Sequence, residues 1–207
     1  MPFYDIIIVD DHPIVREGVK NVLSGMEGVR CSDCSRVEQL LNLLIHNNHF
    51  DLCILDLEFP EADILPSLNT IREISSHSRI LIYSIHNEPW VLAKLRDFDI
   101  HGFISKASAI EDLLQAVRTI RAGGKWFSDS YMSALDGFSR SADIENDLLT
   151  DREKEVLYYL SKGFTTSEIA DKLHISYLTA KKHRSNLAKK LDAHNAVDIV
   201  RKGQKYI

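Results

Sequence analysis

Phe50-Asp51-Leu52-Cys53-Ile54-Leu55-Asp56 is the stretch on which the fold of this chain turns. Leu52 to Leu55 is an unbroken apolar run, the composition of a strand buried on both faces of a parallel sheet. It stops on a carboxylate, Asp56, and Pro60 shortly afterwards halts any regular ladder. In open α/β sheets ligands bind at the carboxyl ends of strands. An Asp at that point is therefore either a turn former or a working group, and the other strand ends decide which.

Working outward, Asp5-Ile6-Ile7-Ile8-Val9 is a second buried run and ends on Asp10-Asp11. His12-Pro13 opens a helix, since Pro suits the first turn. Ile14, Val15, Gly18, Val19, Val22 and Leu23 follow helical spacing up to Gly25. Val29 to Cys34 reads as a short strand. Ser35-Arg36-Val37-Glu38 predicts a capping box, with Leu40, Leu41, Leu44 and Ile45 on the inner face behind it. Beyond Asp56, Asp63 is expected to cap a helix reaching about Ser76, with Leu68, Ile71 and Ile74 inward. Arg79 to Tyr83 is a strand ending at Ser84. Trp90 to Leu95 is a short helix, and Gly102-Phe103-Ile104 a strand ending at Ser105-Lys106. Ser108-Ala109-Ile110-Glu111 predicts another capping box, for a helix that stops at Gly123-Gly124. Five βα repeats imply a doubly wound parallel sheet over residues 1–122. Residues 123–147 read as a linker, in part helical.

The last stretch, 148–207, is all α. Thr150-Asp151-Arg152-Glu153 and Thr165-Thr166-Ser167-Glu168 predict capping boxes, and Ser176 an N-cap for a helix from Tyr177 to Leu191. Two capped helices and a turn before a third make a helix-turn-helix unit. Charge divides along the same line. Residues 148–207 hold 12 Lys and Arg against 7 Asp and Glu, a net +5, while residues 1–147 carry −10. The basic part is the one suited to a polyanion. On its third helix Lys181, Lys182, Ser185 and Lys189 form one polar face, which can lie in a major groove.

Other classes fall away. No apolar run approaches 18 residues, so no transmembrane helix is expected; the first residues show no basic leader, and a cytoplasmic location is expected. Three cysteines fit a reducing compartment. Cys31-Ser32-Asp33-Cys34 has no second pair to complete a zinc site, so these read as strand and loop cysteines.

With strand order 2-1-3-4-5 the first and third strands lie side by side. Asp10, Asp11 and Asp56 then converge, flanked by Ser84 and Lys106. Three crowded carboxylates call for a hard divalent cation, and Mg²⁺, which needs few protein carboxylates, suits the place. Lys106 offers a point charge and Ser84 a hydroxyl to a phosphoryl group, with Asp56 as nucleophile.

On Val9-Asp10-Asp11-His12-Pro13, Leu55-Asp56, Ser84 and Gly102-Phe103-Ile104-Ser105-Lys106, residues 1–122 resemble a response-regulator receiver domain. The resemblance implies that Asp56 takes phosphate from a sensor histidine kinase. It implies Mg²⁺ on Asp11, Asp56 and the backbone carbonyl of Glu58, with Asp10 acting through water. Ser84 and Phe103 would be the residues that move on phosphorylation. Phe59 and Ile64 stand where that family usually has Met and Gly, and Phe103 where it more often has Tyr. Residues 148–207 are similar to LuxR/NarL-type DNA-binding domains on Leu149 to Leu157, Glu168-Ile169-Ala170, Ile175-Ser176 and Thr179-Ala180-Lys181-Lys182-His183. By position Lys181, Lys182 and Ser185 would face bases, Thr179 and His183 phosphates, and Lys189 would extend the stripe. The whole resembles a two-domain response regulator of the NarL/FixJ family, catalysing only its own phosphotransfer and dephosphorylation. Its partners would be DNA, the kinase and a second copy of itself. Both occlusion of the basic helix by the acidic part and dimerisation are open as the means of control.

Overall fold

The structure, a computed structural model, describes residues 3–46, 48–59, 62–85, 89–129, 131–133 and 148–206. It divides into two units, residues 1–133 and 134–207, each described separately below.

The first unit alternates β1 (Tyr4–Val9), α1 (Pro13–Ser24), β2 (Val29–Cys34), α2 (Val37–Ile45) and β3 (Leu52–Leu55). A small hairpin, β4 (Glu58–Phe59) and β5 (Ala62–Asp63), precedes α3 (Ile64–Ile74). Then come β6 (Arg79–Ser84), α4 (Pro89–Leu95), β7 (Gly102–Ser105), α5 (Ile110–Arg121) and β8 (Trp126–Phe127). The sheet order is β2-β1-β3-β6-β7-β8, parallel throughout. That is the expected doubly wound sheet with one extra strand. β8 lies within residues 123–147, the stretch read as linker; residues 134–147 of that stretch fall outside the described residues.

Why the central strands are so apolar is visible in their burial. Every residue of β3 is buried, as are Ile6 to Val9. Alternation puts Ile6, Ile8, Leu52 and Ile54 on one face, where they join Val19 and Leu23 of α1 and Leu113, Ala116, Val117 and Ile120 of α5 in one core. Each Val, Leu or Ile side chain among them contributes about 1.5–3 kcal/mol by leaving water. Gly102 is required by close approach: a Cβ there would stand 2.5 Å from the Trp126 carbonyl oxygen.

Several local expectations are corrected. α2 begins after Arg36, which has an extended backbone and no side-chain cap. Ser35 instead donates from its N–H and Oγ to Gln39 Oε1, so its hydroxyl is spent on the turn. α5 likewise follows an uncapped Ala109, one residue past Ser108, whose N–H donates to Ser105 O in the preceding turn. Asp63 belongs to the β4–β5 hairpin. Ile45 and Ile74 are 58% and 36% exposed; both are last residues of their helices, beyond the reach of the sheet.

The second unit contains α6 (Asp151–Ser161), α7 (Thr166–Lys172), α8 (Tyr177–Lys190) and α9 (Ala196–Gly203). Here the capping boxes form as expected: Thr150 with Glu153, and Thr165 with Glu168, each make both reciprocal bonds. Ser176 caps α8 by accepting from Thr179 N–H at 3.1 Å. Gly163 supplies the left-handed turn (φ 86°) between α6 and α7. Val156, Leu157, Ile169, Ala170, Ala180, Leu187 and Ile199 form the buried interior.

Candidate metal centre and nucleic-acid interface

Register assembles the first site. Val9 pairs with Leu55 across β1 and β3, so the next residues, Asp10 and Asp56, emerge together. Leu55 pairs with Ile82, and Ser84 with Ser105, which brings Ser84 and Lys106 to the same sheet edge. Asp10 and Asp56 are nearly fully buried, and Ser84 completely so. Lys106 Nζ lies 2.7 Å from Asp10 Oδ2 and 2.6 Å from Asp56 Oδ2. Burial pushes the Lys106 ammonium down, but the hydrogen bonds to Asp10 and then Asp56 outweigh it and leave its pKa raised. The remaining oxygens have backbone donors: His12 N–H to Asp10 Oδ1 at 2.8 Å and Leu57 N–H to Asp56 Oδ1 at 2.7 Å.

Asp11 is different. Its Oδ1 is buried and receives no hydrogen bond. His12 Nδ1 is only 2.6 Å away, but proximity without donor alignment does not satisfy that oxygen. Ligand atoms of Asp10, Asp11, His12 and Asp56 lie within 4.8 Å of one another. A buried, unsatisfied carboxylate oxygen beside two further carboxylates is a donor set that fits a hard divalent cation such as Mg²⁺. His12 is an addition to the expected residues; its place next to Asp11 was the available signal. Glu58 starts the hairpin two residues after Asp56.

Two supporting groups were not anticipated. Arg16 donates from Nη1 to the Asp10 carbonyl at 2.7 Å and from Nε to Asp33 at 3.0 Å, fixing the backbone that carries Asp10 and Asp11. Phe103, fully buried, stacks on Tyr131 with ring centroids 5.5 Å apart, and Tyr131 stacks on Phe127 at 4.7 Å.

On the second unit, Lys181, Lys182, Ser185 and Lys189 are all exposed on α8. Thr179 and His183 are half-buried beside them, and Thr179 Oγ1 is 2.8 Å from Ser176 Oγ in the cap. Arg184 Nη1 donates to Thr166 Oγ1 at 2.8 Å and Lys190 Nζ pairs with Glu153 at 2.7 Å. These two cations hold α8 against α7 and α6, leaving the stripe itself to solvent.

Residues 6–118 match the family model described as response regulator receiver domain. The chain belongs to the response-regulator family. Residues 147–202 of this response regulator also match the model for bacterial regulatory proteins of the luxR family. It is similar to the nitrate/nitrite response regulator protein NarL of Escherichia coli (strain K12), 32% identical over 93% of this chain and 91% of NarL. It is similar as well to solved structures of RcsB. One is RcsB from Salmonella enterica serovar Typhimurium bound to a promoter in the presence of phosphomimetic BeF3-, with TM-score 0.62, 27% identity and 99% of each chain covered. Another shows two RcsB dimers bound to two parallel DNAs, with TM-score 0.61, 26% identity and 99% of this chain and 100% of that one covered. This response regulator thus joins a receiver to a luxR-type DNA-binding domain, the make-up of a two-component regulator of transcription. Among the described residues no helix is long and apolar enough to cross a membrane.

Proposed function

We propose that Asp56 is the phosphoacceptor and that its phosphorylation by a sensor histidine kinase controls sequence-specific DNA binding by residues 148–207. The observation that carries this reading is Lys106 Nζ held against both Asp56 and Asp10 at a sheet edge where Asp11 keeps an unsatisfied oxygen.

An Asp56 carboxylate oxygen attacks phosphorus on the donor's phosphohistidine; the P–O bond forms as the P–N bond breaks, and the imidazole leaves. Lys106 then exchanges a carboxylate contact for a phosphoryl oxygen, keeping its charge paired. Asp10, Asp11, Asp56 and the Glu58 carbonyl would hold Mg²⁺, which when bound supplies positive charge beside the transferring phosphoryl group. Ser84 offers its hydroxyl to that group. Phe103, the switch aromatic, has no hydroxyl, so its movement is read through packing, and Tyr131 is the ring it packs on. The only reactions catalysed are the protein's own phosphorylation and dephosphorylation.

Thr179, Lys181, Lys182, His183, Ser185 and Lys189 form the DNA face, with a homodimer as the bound species in the cytoplasm. The RcsB–DNA assemblies support this extension. With Mg²⁺ and acetyl phosphate the protein should gain one acid-stable, base-labile phosphoryl group, and Asp56→Asn none. Full labelling of Asp56→Asn, or labelling indifferent to chelator, would reject the assignment.

A further inference from the structure

Leu178 sits second in α8, two residues past the Ser176 cap, and is 74% exposed. At roughly 100° per residue it projects between the directions of Lys181 and Lys182 and in line with Ser185 and Lys189. Ala180 and Leu187, both fully buried, lie on roughly the opposite side of the helix. Core packing therefore does not account for a leucine here. Nor does solubility, which a polar residue in the middle of a cationic stripe would serve better.

The stripe's charge selects the occupant. Lys181 and Lys182 flank Leu178 with positive charge, Lys189 continues the stripe three turns on, and a polyanion is the partner such a face accepts. The N-terminal residues of a recognition helix are the ones that reach base edges. On those edges the major groove displays one apolar group, the C5 methyl of thymine. A branched aliphatic side chain without donors or acceptors can distinguish bases through that group alone.

We infer that Leu178 is a specificity-determining residue that reads the C5 methyl of a thymine in the bound duplex. The inference rests on α8 being the DNA-reading helix, as proposed above. The lysines around it supply affinity through phosphates or guanine, and Leu178 adds discrimination that no hydrogen-bonding count would reveal. Tyr177, 51% exposed and next to it, flanks the same end of the helix.

The test uses the full-length protein and duplexes recovered by binding selection from a random-sequence library. Each thymine is replaced in turn by deoxyuridine, which removes only the methyl group. At one thymine per half-site wild type should bind the uracil duplex about fourfold more weakly, the loss expected for one methyl left unburied. Leu178→Ala, which preserves helix propensity, should bind the thymine and uracil duplexes equally at that position. Leu178→Met, still apolar, should retain part of the penalty. A wild-type penalty that Leu178→Ala keeps unchanged, or no penalty at any position, overturns the inference while leaving DNA reading by α8 intact. Selection of no sequence by wild type defeats the DNA reading itself, and Leu178 with it. Unchanged DNA behaviour in Leu178→Ala accompanied by loss of self-association in sedimentation assigns the residue to a protein contact instead.

Discussion

Replacing Lys106 with methionine keeps most of the side chain's volume and removes only its charge. The ammonium is the shared counter-ion of Asp10 and Asp56, whose side chains are each 2% exposed. Removing one partner of a buried ion pair costs about 3–5 kcal/mol, because a buried charge is left uncompensated. Both carboxylates keep a backbone donor, from His12 and Leu57, so the lower end, about 3 kcal/mol, is expected without divalent cation. The sign with pH follows from the lysine. Its pKa is raised above the ordinary 10.5: burial lowers it, and the hydrogen bonds to Asp10 and Asp56 outweigh that. Its contribution is therefore complete below that ordinary value and is lost as pH climbs through the higher folded value. Wild type and variant should differ steadily from neutral pH to the start of that window and converge above it. Mg²⁺ supplies the missing charge in the variant, and at a hundred times Kd it should restore about 2.7 kcal/mol. In wild type the ammonium already occupies two of the three carboxylates, so the same Mg²⁺ stabilises less. Urea unfolding followed by tryptophan emission isolates the effect, since both tryptophans, Trp90 and Trp126, precede residue 134 and report the receiver alone. A variant as stable as wild type in EDTA, or one that Mg²⁺ stabilises no more than wild type, would refute the counter-ion argument.

Three further outcomes are expected. Gly102→Ala forces a Cβ to 2.5 Å from the Trp126 carbonyl and 2.8 Å from Leu81 Cδ1; overpacking of this kind costs about 1–3 kcal/mol and should free β8, shifting Trp126 emission to the red, and unchanged emission contradicts it. The Arg201 hydrogen bond, ahead of the one from His194 N–H, holds the Asp198 carboxyl at about 2. Its contribution is present above the ordinary 3.8 and disappears as pH falls toward 2; carboxyl ¹³C titration should show the low midpoint, returning upward in Arg201→Ala. Lys181→Ala and Lys182→Ala should each relax preference at one base pair and cost about 1–3 kcal/mol, whereas His183→Ala should weaken all sequences alike; unchanged preference in both lysine variants removes them from readout.

Four of the five main strands, β1, β3, β6 and β7, were legible because parallel strands buried on both faces are apolar without alternation and stop abruptly on polar residues, whereas β2 lies at the sheet edge with an alternating, partly exposed sequence. β8 was not, since Trp126-Phe127 is too short to carry any period and pairs only because β7 is already in place. The two failed caps show that a Ser-x-x-Glu spacing is degenerate: the Ser35 hydroxyl bonds Gln39 instead, and the residue ahead of α5 is Ala109, one past Ser108. Thr150, Thr165 and Ser176 capped as their spacing predicted. The hairpin after Asp56 had no signal either, because strands of two residues each depend on the geometry of their neighbours. In the site, the convergence of Asp10, Asp56 and Lys106 was deducible from strand order. The direction of the lysine was not. Only the folded structure places its ammonium on both carboxylates, where charge balance and not phosphate alone gives it a task. Arg16 and Tyr131 escaped notice because each acts from another element, with no local motif to mark it.

The two sites differ in how closely function is bound to stability. Asp10, Asp56 and Lys106 are buried charges in contact, and removing the shared ammonium leaves both carboxylates costly in a low-dielectric surrounding. Substitutions there change folding and chemistry together, so loss of phosphorylation alone cannot assign a role. Lys181, Lys182 and Leu178 stand at the other extreme. They are exposed on a helix held by Ala180, Leu187 and the Arg184–Thr166 and Lys190–Glu153 contacts on its other faces. Surface substitutions away from such contacts shift stability by about 0.5 kcal/mol or less. The face proposed to read DNA can therefore be substituted without disturbing the fold, and differences in binding by its variants report recognition directly. The separation follows from helix periodicity, which gives core and groove different residues, whereas the sheet edge makes the same residues serve both.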